Sequence, residues 1–420
     1  SGGNTSRVVI NGDVYTVHSF QQENGVNYFD FDVQDDFAAH LSGNISGTGK
    51  ASIDADRGEI TLSGASSDYT GGTDLTKGTL IVRSSSALGD ATAANSALSM
   101  ANNTELLLAH DVTIANDITL AGAATIGFAP LEVEYLVVGG GGGGGGIMGG
   151  GGGAGGLLND TTMMSGTVSV TVGDGGLGGV GWDNYPQYGK SGDDSSFGSM
   201  IVAKGGGGGA AHRPEQNTNN TERSGGSGGG GGGWQGENTG GAGTAGQGND
   251  GSAGSGDFGG GGGGAGGPGI AINGSVAGTG GAGQYIAWAD EAGYGESGYF
   301  AGGGGGGARD GSSRTGGQGG QGGGGDGTST TTKADDGQTN TGGGGGGAGY
   351  NTTSTSRLGG KGGSGIVLVK YVGSQLAIGG TVQSLSYDSD GDSTPESYTV
   401  HAFTSVGSAD LKLVDLSAAI

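Results

Sequence analysis

Glu132-Val133-Glu134-Tyr135-Leu136-Val137-Val138 runs without a break into eight consecutive glycines, residues 139 to 146. On the far side of the glycine-rich stretch, Gly363-Ser364-Gly365 leads into Ile366-Val367-Leu368-Val369-Lys370-Tyr371-Val372. Both flanks are rich in β-branched and aromatic residues and predict strands. If the two pair, both ends of the intervening chain are pinned at one root, and residues 139 to 365 must travel outward and return. Glycine runs recur inside that span at 139 to 146, 149 to 153, 205 to 209, 228 to 233, 259 to 264, 302 to 307, 322 to 325 and 342 to 347.

Glycine-rich sequence is by default a flexible linker, because ordering it costs the most backbone entropy and buries no side chain. Runs of similar length, separated by inserts that carry Trp182, Trp234, Tyr285, Trp288 and Tyr299, do not fit that default. Extended left-handed strands with three residues per turn have no internal hydrogen bonds and direct their amides sideways. Fixing a residue costs about 1–2 kcal/mol, whereas a net hydrogen bond returns about 0.5–1.5, so such order is collective or absent. The expectation is a bundle of polyglycine II strands that saturate one another laterally.

Outward from this segment the chain reads as β structure. Arg7-Val8-Val9-Ile10, a turn at Asn11-Gly12-Asp13, then Val14 to Phe20, and Tyr28 to Val33 after Asn24-Gly25 predict a small antiparallel unit over residues 1–40. Residues 41–130 carry short strand signals, Glu59 to Leu62, Thr79 to Val82, Leu106 to Leu108, Val112 to Ile114 and Ile118 to Leu120, between Gly, Asn or Asp turns. That pattern suits the stacked coils of a β-solenoid. A bracketed glycine-rich bundle then spans 131–372, and 373–420 forms a β unit repeating the first. The repeat is Val14-Tyr15-Thr16-Val17-His18-Ser19-Phe20, which returns as Ser397-Tyr398-Thr399-Val400-His401-Ala402-Phe403. The fold class is mostly β plus polyglycine II.

Composition narrows function. Glycine accounts for 113 of 420 residues and charged residues for 13 %, which excludes an ordinary single-core globule. A net charge of −24 repels phosphate backbones, so nucleic acid is a poor partner. There is no cysteine, hence no disulfide and no thiolate metal site. No stretch approaches the roughly 18 apolar residues of a membrane span, and Ser1-Gly2-Gly3-Asn4 is neither a starting Met nor a signal peptide, as in a piece of a longer protein.

Two stretches resemble known families. Ile60-Thr61-Leu62-Ser63-Gly64, Tyr69-Thr70-Gly71-Gly72-Thr73 and Lys77-Gly78-Thr79-Leu80-Ile81-Val82 are similar to the autotransporter-associated β-strand repeat of bacterial surface passenger domains. The Val133 to Val138 lead-in and the Gly363-Ser364-Gly365-Ile366-Val367 exit resemble the glycine-rich domains of phage tail-fibre proteins and large bacterial surface proteins. More distantly, the segment resembles the polyglycine-bundle adhesins of phage fibre tips, whose distal loops touch host receptors. The resemblance implies an extracellular location, on a virion fibre or a bacterial cell surface. It also implies a cell-surface glycan or envelope protein as partner, with self-association or tandem units in a fibre.

Catalytic motifs are chance matches. G-x-G-x-x-G patterns are inevitable in polyglycine; Gly189-Lys190-Ser191 lacks the first P-loop glycine, since Asn184 stands in its place; Gly225-Gly226-Ser227-Gly228-Gly229 lacks a helix behind the Ser. An enzyme is therefore not expected. Asp388, Asp390, Asp392 and Glu396, on an acidic hairpin loop, are the best calcium candidates, with a solvated loop as the plain alternative. His18 and His401 are better explained by structural hydrogen bonds than by metal. Binding chemistry then falls to the inserts: Trp182, Tyr185 and Tyr188; His212 and Arg213; Trp234; Tyr285, Trp288, Tyr294 and Tyr299; Arg309 and Arg314. Aromatic faces stack on sugars and Arg forks receive carboxylate or phosphate, although the same rings are also the bundle's available packing mass. Together these features predict a non-enzymatic fibre or adhesin acting in host attachment, with a repeat unit of a giant bacterial surface protein as the alternative. Ice binding would need a regular Thr or Ala face that the sequence does not display.

Overall fold

The computed structural model describes residues 7–10, 13–16, 21–23, 26–32, 38–110, 112–181, 187–212, 220–311, 313–330, 333–350, 357–388 and 394–414. The chain divides into two compact units, Ser1–Leu131 and Glu132–Ile420, where the sequence suggests four segments. Both are built almost entirely from strands and extended chain.

The first unit is a β-solenoid of about four turns. Strands Val26–Asp32, Lys50–Leu62, Thr73–Val82, Leu98–Met100 and Ile118–Leu120 stack in parallel, with Phe29 opposite Ala51, Ala51 opposite Thr73, Thr73 opposite Leu98 and Leu98 opposite Ile118. A second stack runs through Ala38–Leu41, the far halves of the two long strands, Glu105–Leu108 and Thr125–Phe128. In-register parallel stacking puts like residues above like, so Ile53, Leu75 and Met100, then Ile60, Leu80 and Leu106, form one buried core. Residues 1–40 are thus not separate: Val26–Asp32 is both the partner of the antiparallel Gln21–Glu23 and a rung of the solenoid. The predicted hairpin is present as Arg7–Ile10 against Asp13–Thr16; its turn residues 11–12 and the repeat residues 17–20, including His18, lie outside the described residues. Val112 to Ile114 is not a strand; Val112 and Ile114 fill the core edge from a corner. Tyr69 is fully buried with its hydroxyl 2.5 Å from Thr73 Oγ1, and burial pushes its pKa up to about 12.

In the second unit the bracketing strands pair. Leu131–Val138 lies antiparallel to Ile366–Val372, with Glu134 opposite Lys370 and Val138 opposite Ile366. Glu396–Phe403 pairs with the other edge of Ile366–Val372 and with Thr381–Tyr387, so the C-terminal copy of the repeat is an internal strand of this root sheet. Gly407–Leu413 pairs with Thr167–Val172 and with Ala377–Ile378 in a second sheet, and the Tyr135 and Phe197 rings, one from each sheet, meet at 6.3 Å. The described residues between 373 and 414 therefore belong to the two sheets of the glycine-rich unit.

His401 is fully buried here. Its Nδ1–H donates to the Gly379 carbonyl at 2.7 Å, leaving Nε2 to accept from the Tyr371 hydroxyl at 2.9 Å. That hydroxyl oxygen in turn accepts from the Leu376 and Ala377 amides. The histidine is a hydrogen-bonding element of the sheet, as expected. Burial holds its pKa below the ordinary value, the Gly379 bond offsetting part of the effect. An unfolded imidazole titrates near 6.5, so below that pH the unfolded chain binds the extra proton and stability falls as pH drops toward the folded pKa. Urea unfolding at pH 7.5 and 5.5 is expected to show this loss in the wild type and a smaller one in His401→Gln.

Between root strands the glycine runs bond to one another with a period of three. Gly139, Gly142 and Gly145 donate to the carbonyls of Gly156, Gly153 and Gly150. Gly140, Gly143 and Gly146 donate to Asp193, Lys190 and Gln187, while Gly141 and Gly144 donate to Gly363 and Gly360. On the acceptor side, Gly140 and Gly143 receive Gly206 and Gly209; Gly141 and Gly144 receive Gly176 and Gly179; Gly142 and Gly145 receive Gly345 and Ala348. One run thus has six neighbours, every bond 2.8 to 3.0 Å long. The run at 149 likewise joins segments 342–348, 204–210, 260–263, 139–145, 227–230 and 304–307. At the outer wall the same period appears in burial: Thr315, Gln318 and Gln321 are exposed, with buried or half-buried glycines between them. A Cβ on Gly141, Gly144, Gly152, Gly304 or Gly344 would strike a carbonyl of an adjacent run. Close approach of six backbones is what excludes side chains.

Candidate functional site

Because runs leave the root sheet and return to it, inserts collect at two ends. Chain leaving through 139–146 reverses at Ile147-Met148, both buried and both with left-handed φ, 46° and 43°. That end also receives the starts or finishes of the runs bordered by His212, Trp234, Asp257, Arg309, Tyr350 and Arg357. The His212 and Gly233 amides donate to the Ile147 and Met148 carbonyls, and the Arg309 amide donates to Asp257. Val180–Gly181 pairs with Arg357–Leu358 beside them.

Side chains at this distal end form a continuous stack. His212 meets Trp234 edge-on at 5.4 Å; the Arg309 guanidinium lies 6.0 Å from the Trp234 ring and 5.7 Å from the Tyr350 ring; Arg357 covers Tyr350 at 4.5 Å. Asp257 ties two arginines, Arg309 Nη1 at 3.4 Å and Arg314 Nη2 at 2.7 Å. Arg309 and Arg314 keep 40 % and 35 % of their side chains exposed, whereas Arg357 is buried. Trp234 holds φ at 81°, a region costly for a residue with a Cβ.

Sequence candidates thus separate. Tyr188, His212, Trp234, Arg309 and Arg314 belong to the distal end, where His212 is buried against Trp234 and is corrected from a surface contact to a packing group; Trp182, Tyr185 and Arg213 lie outside the described residues. The 284–300 insert sits instead at the root. Its short helix Ala287–Glu291 carries Trp288, which is only 5 % exposed and packs with Leu136, Ile366, Leu368 and Val400. Trp288 is therefore corrected from a surface contact to a core anchor, because it is the largest apolar group able to cover the root sheet. Tyr294 packs partly buried on the same cluster, where burial raises its pKa. Tyr285 is exposed, donates to Asp290 at 2.8 Å and leans on the half-buried Tyr299 at 5.1 Å. The Asp290 bond raises the Tyr285 pKa.

Sequence reasoning passed over Asp257, Tyr350 and Arg357. Each directly borders a distal run end, 258–264, 342–349 or 358–364, and that adjacency was a usable signal. It also passed over Lys370, which is 5 % exposed and enclosed by Glu134 Oε2 at 2.7 Å, Tyr387 Oη at 2.7 Å and the Trp288, Tyr387 and Tyr398 rings. Burial alone would lower its pKa, but the Glu134 and Tyr387 bonds carry it above the ordinary lysine value. On the lateral wall, the Lys361 ammonium at 2.9 Å holds the Asp174 carboxyl below its usual range.

Of the calcium candidates, Asp388 is exposed, Glu396 begins a strand of the root sheet, and Asp390 and Asp392 lie outside the described residues. Among the described residues no group of three or more His, Asp or Glu has metal-binding geometry, and no helix is long and apolar enough to cross a membrane. A recess of about 240 Å³ between the two sheets is lined by Val170, Val172, Thr381, Phe403 and Ala409 among others, without a titratable side chain.

No curated protein and no solved structure matches the chain. A family model described as a glycine-rich domain matches residues 118–372, from the last rungs of the solenoid through the exit strand of the root sheet. With more than half of its length covered by that match, the chain belongs to the glycine-rich domain family.

Proposed function

We propose that residues 139–365 are a polyglycine II bundle serving as a rigid scaffold in a non-enzymatic fibre or adhesin, a tail-fibre or virion-appendage component for host attachment. The observation that carries this is the three-residue period of the hydrogen bonds, with each central run bonded to six others. Strands of three residues per turn point successive amides about 120° apart, and six neighbours are the packing that satisfies every donor and acceptor. Such a scaffold is stiff along its length and offers chemistry mainly at its ends and outer wall. Self-association in a fibre, an extracellular location and a glycan or envelope-protein partner belong to the same proposal.

Amide hydrogen exchange on the intact chain tests the scaffold: the 139–146, 149–155 and 302–307 amides are expected to be protected as strongly as Ile366–Val372. Exchange at random-coil rates would overturn it. Retention of the full chain on bacterial envelope preparations tests attachment, and absence of retention on any envelope tried would overturn that part. A second reading, a repeat unit of a giant bacterial surface protein, is favoured by the solenoid and by the returning Tyr-Thr-Val-His motif, whose C-terminal copy closes a glycine-rich unit.

A further inference from the structure

We infer that the distal stack is a binding site for carboxylated saccharide, with Arg309 and Arg314 as the receiving forks; this rests on the attachment reading above and names its ligand class. Several observations converge. Two half-buried arginines, with 40 % and 35 % of their side chains exposed, share one carboxylate, Asp257, which takes only part of the five N–H donors each guanidinium carries. Asp257 itself shows that their separation fits a carboxylate, one oxygen to each arginine. The Arg309 guanidinium lies near both the Trp234 and the Tyr350 rings, contacts that restrict its rotamers in advance of binding and reduce the entropy lost on capture. Half-buried Trp234 adds an apolar edge against which sugar C–H groups pack. Its left-handed backbone is held in place by the run end beneath it, where the Gly233 amide bonds to Met148. Asp310, next to Arg309, contributes a negative charge, and its main-chain carbonyl faces Arg314 Nη1 at 3.5 Å. The ligand's carboxylate is therefore placed on the Arg309 and Arg314 side away from both acids.

The test uses the full chain and two hexasaccharides, one of galacturonate and one of neutral glucose, in calorimetric titrations at 50 and 300 mM salt. Galacturonate hexamer is expected to bind and to weaken several-fold at the higher salt, and glucose hexamer is expected not to bind. Arg309→Lys/Arg314→Lys keeps the charge but removes the fork, and is expected to lose at least tenfold in affinity. Trp234→Phe, which keeps a ring, is expected to lose less. Unchanged melting temperature of the Lys variants establishes that the loss is local. Equal binding of both sugars, or full affinity in the double Lys variant, overturns the assignment. Failure with both sugars while the chain still adheres to envelopes overturns this ligand class alone; failure to adhere at all removes the attachment reading beneath it.

Discussion

Gly304→Val is expected to lower the unfolding free energy of the glycine-rich unit by about 4–6 kcal/mol, and Gly344→Val by a similar amount. A Cβ on Gly304 meets the Gly345 carbonyl oxygen, which accepts the Gly152 amide; a Cβ on Gly344 meets the Gly152 carbonyl oxygen, which accepts the Gly304 amide. Overpacking a side-chain core costs about 1–3 kcal/mol because rotamers yield. Here only backbone can yield, and shifting the struck segment breaks its bonds to several runs, at about 1 kcal/mol each for roughly three bonds. In a unit of this size that corresponds to about 7–10 °C in melting temperature. Gly267→Ala is the control, since nothing lies within 4 Å of its added Cβ, and is expected to change stability by no more than about 1 kcal/mol. Calorimetry of the three variants checks the set. A Gly304→Val chain that melts like the control would show that the runs are not tightly packed.

Replacing Lys370 by Met is expected to cost about 2–3 kcal/mol. The ammonium is enclosed by three aromatic rings and bonded to Glu134, so its removal leaves a carboxylate in a largely apolar setting. Breaking a fully buried pair costs about 3–5 kcal/mol, and the 28 % exposure of the Glu134 side chain reduces that figure. Lys370→Met/Glu134→Leu removes both charges and is expected to recover most of the loss. Denaturant titration of the single and double variants measures the coupling directly, and a double variant no better than Lys370→Met would contradict it. The cage matters beyond the sheet because Trp288 forms one of its walls: through that ring the 284–300 insert is clamped onto the root.

The pairing of the two bracketing strands was legible because both are long apolar runs abutting glycine, and a strand buried on both faces is recognisable without its partner. Solenoid rungs were legible for a related reason, although Val112 to Ile114 was not: a turn that tucks apolar residues into the core edge has the composition of a strand. Residues 373–420 looked like a repeat of the N-terminal unit, and similarity of sequence carried no information about which neighbour each copy pairs with. For the aromatic inserts, type was visible and place was not. Trp288 and Trp234 are the same residue in inserts of one glycine-rich segment, yet one covers the root sheet and the other lies against an arginine at the opposite end.

Local chemistry alone determined that the glycine runs either order together or not at all, that their ends are pinned by strands, and that side-chain chemistry is confined to the inserts. Those conclusions need only the entropy of glycine and the period of the flanks. Which run bonds to which, and hence which inserts share an end, was decided by tertiary structure. Glycine has no side chain with which to mark a partner, so direction and neighbour are set by how the whole set of returning segments closes, and Asp257, Arg309, Arg314 and Tyr350 meet only as a result of that closure.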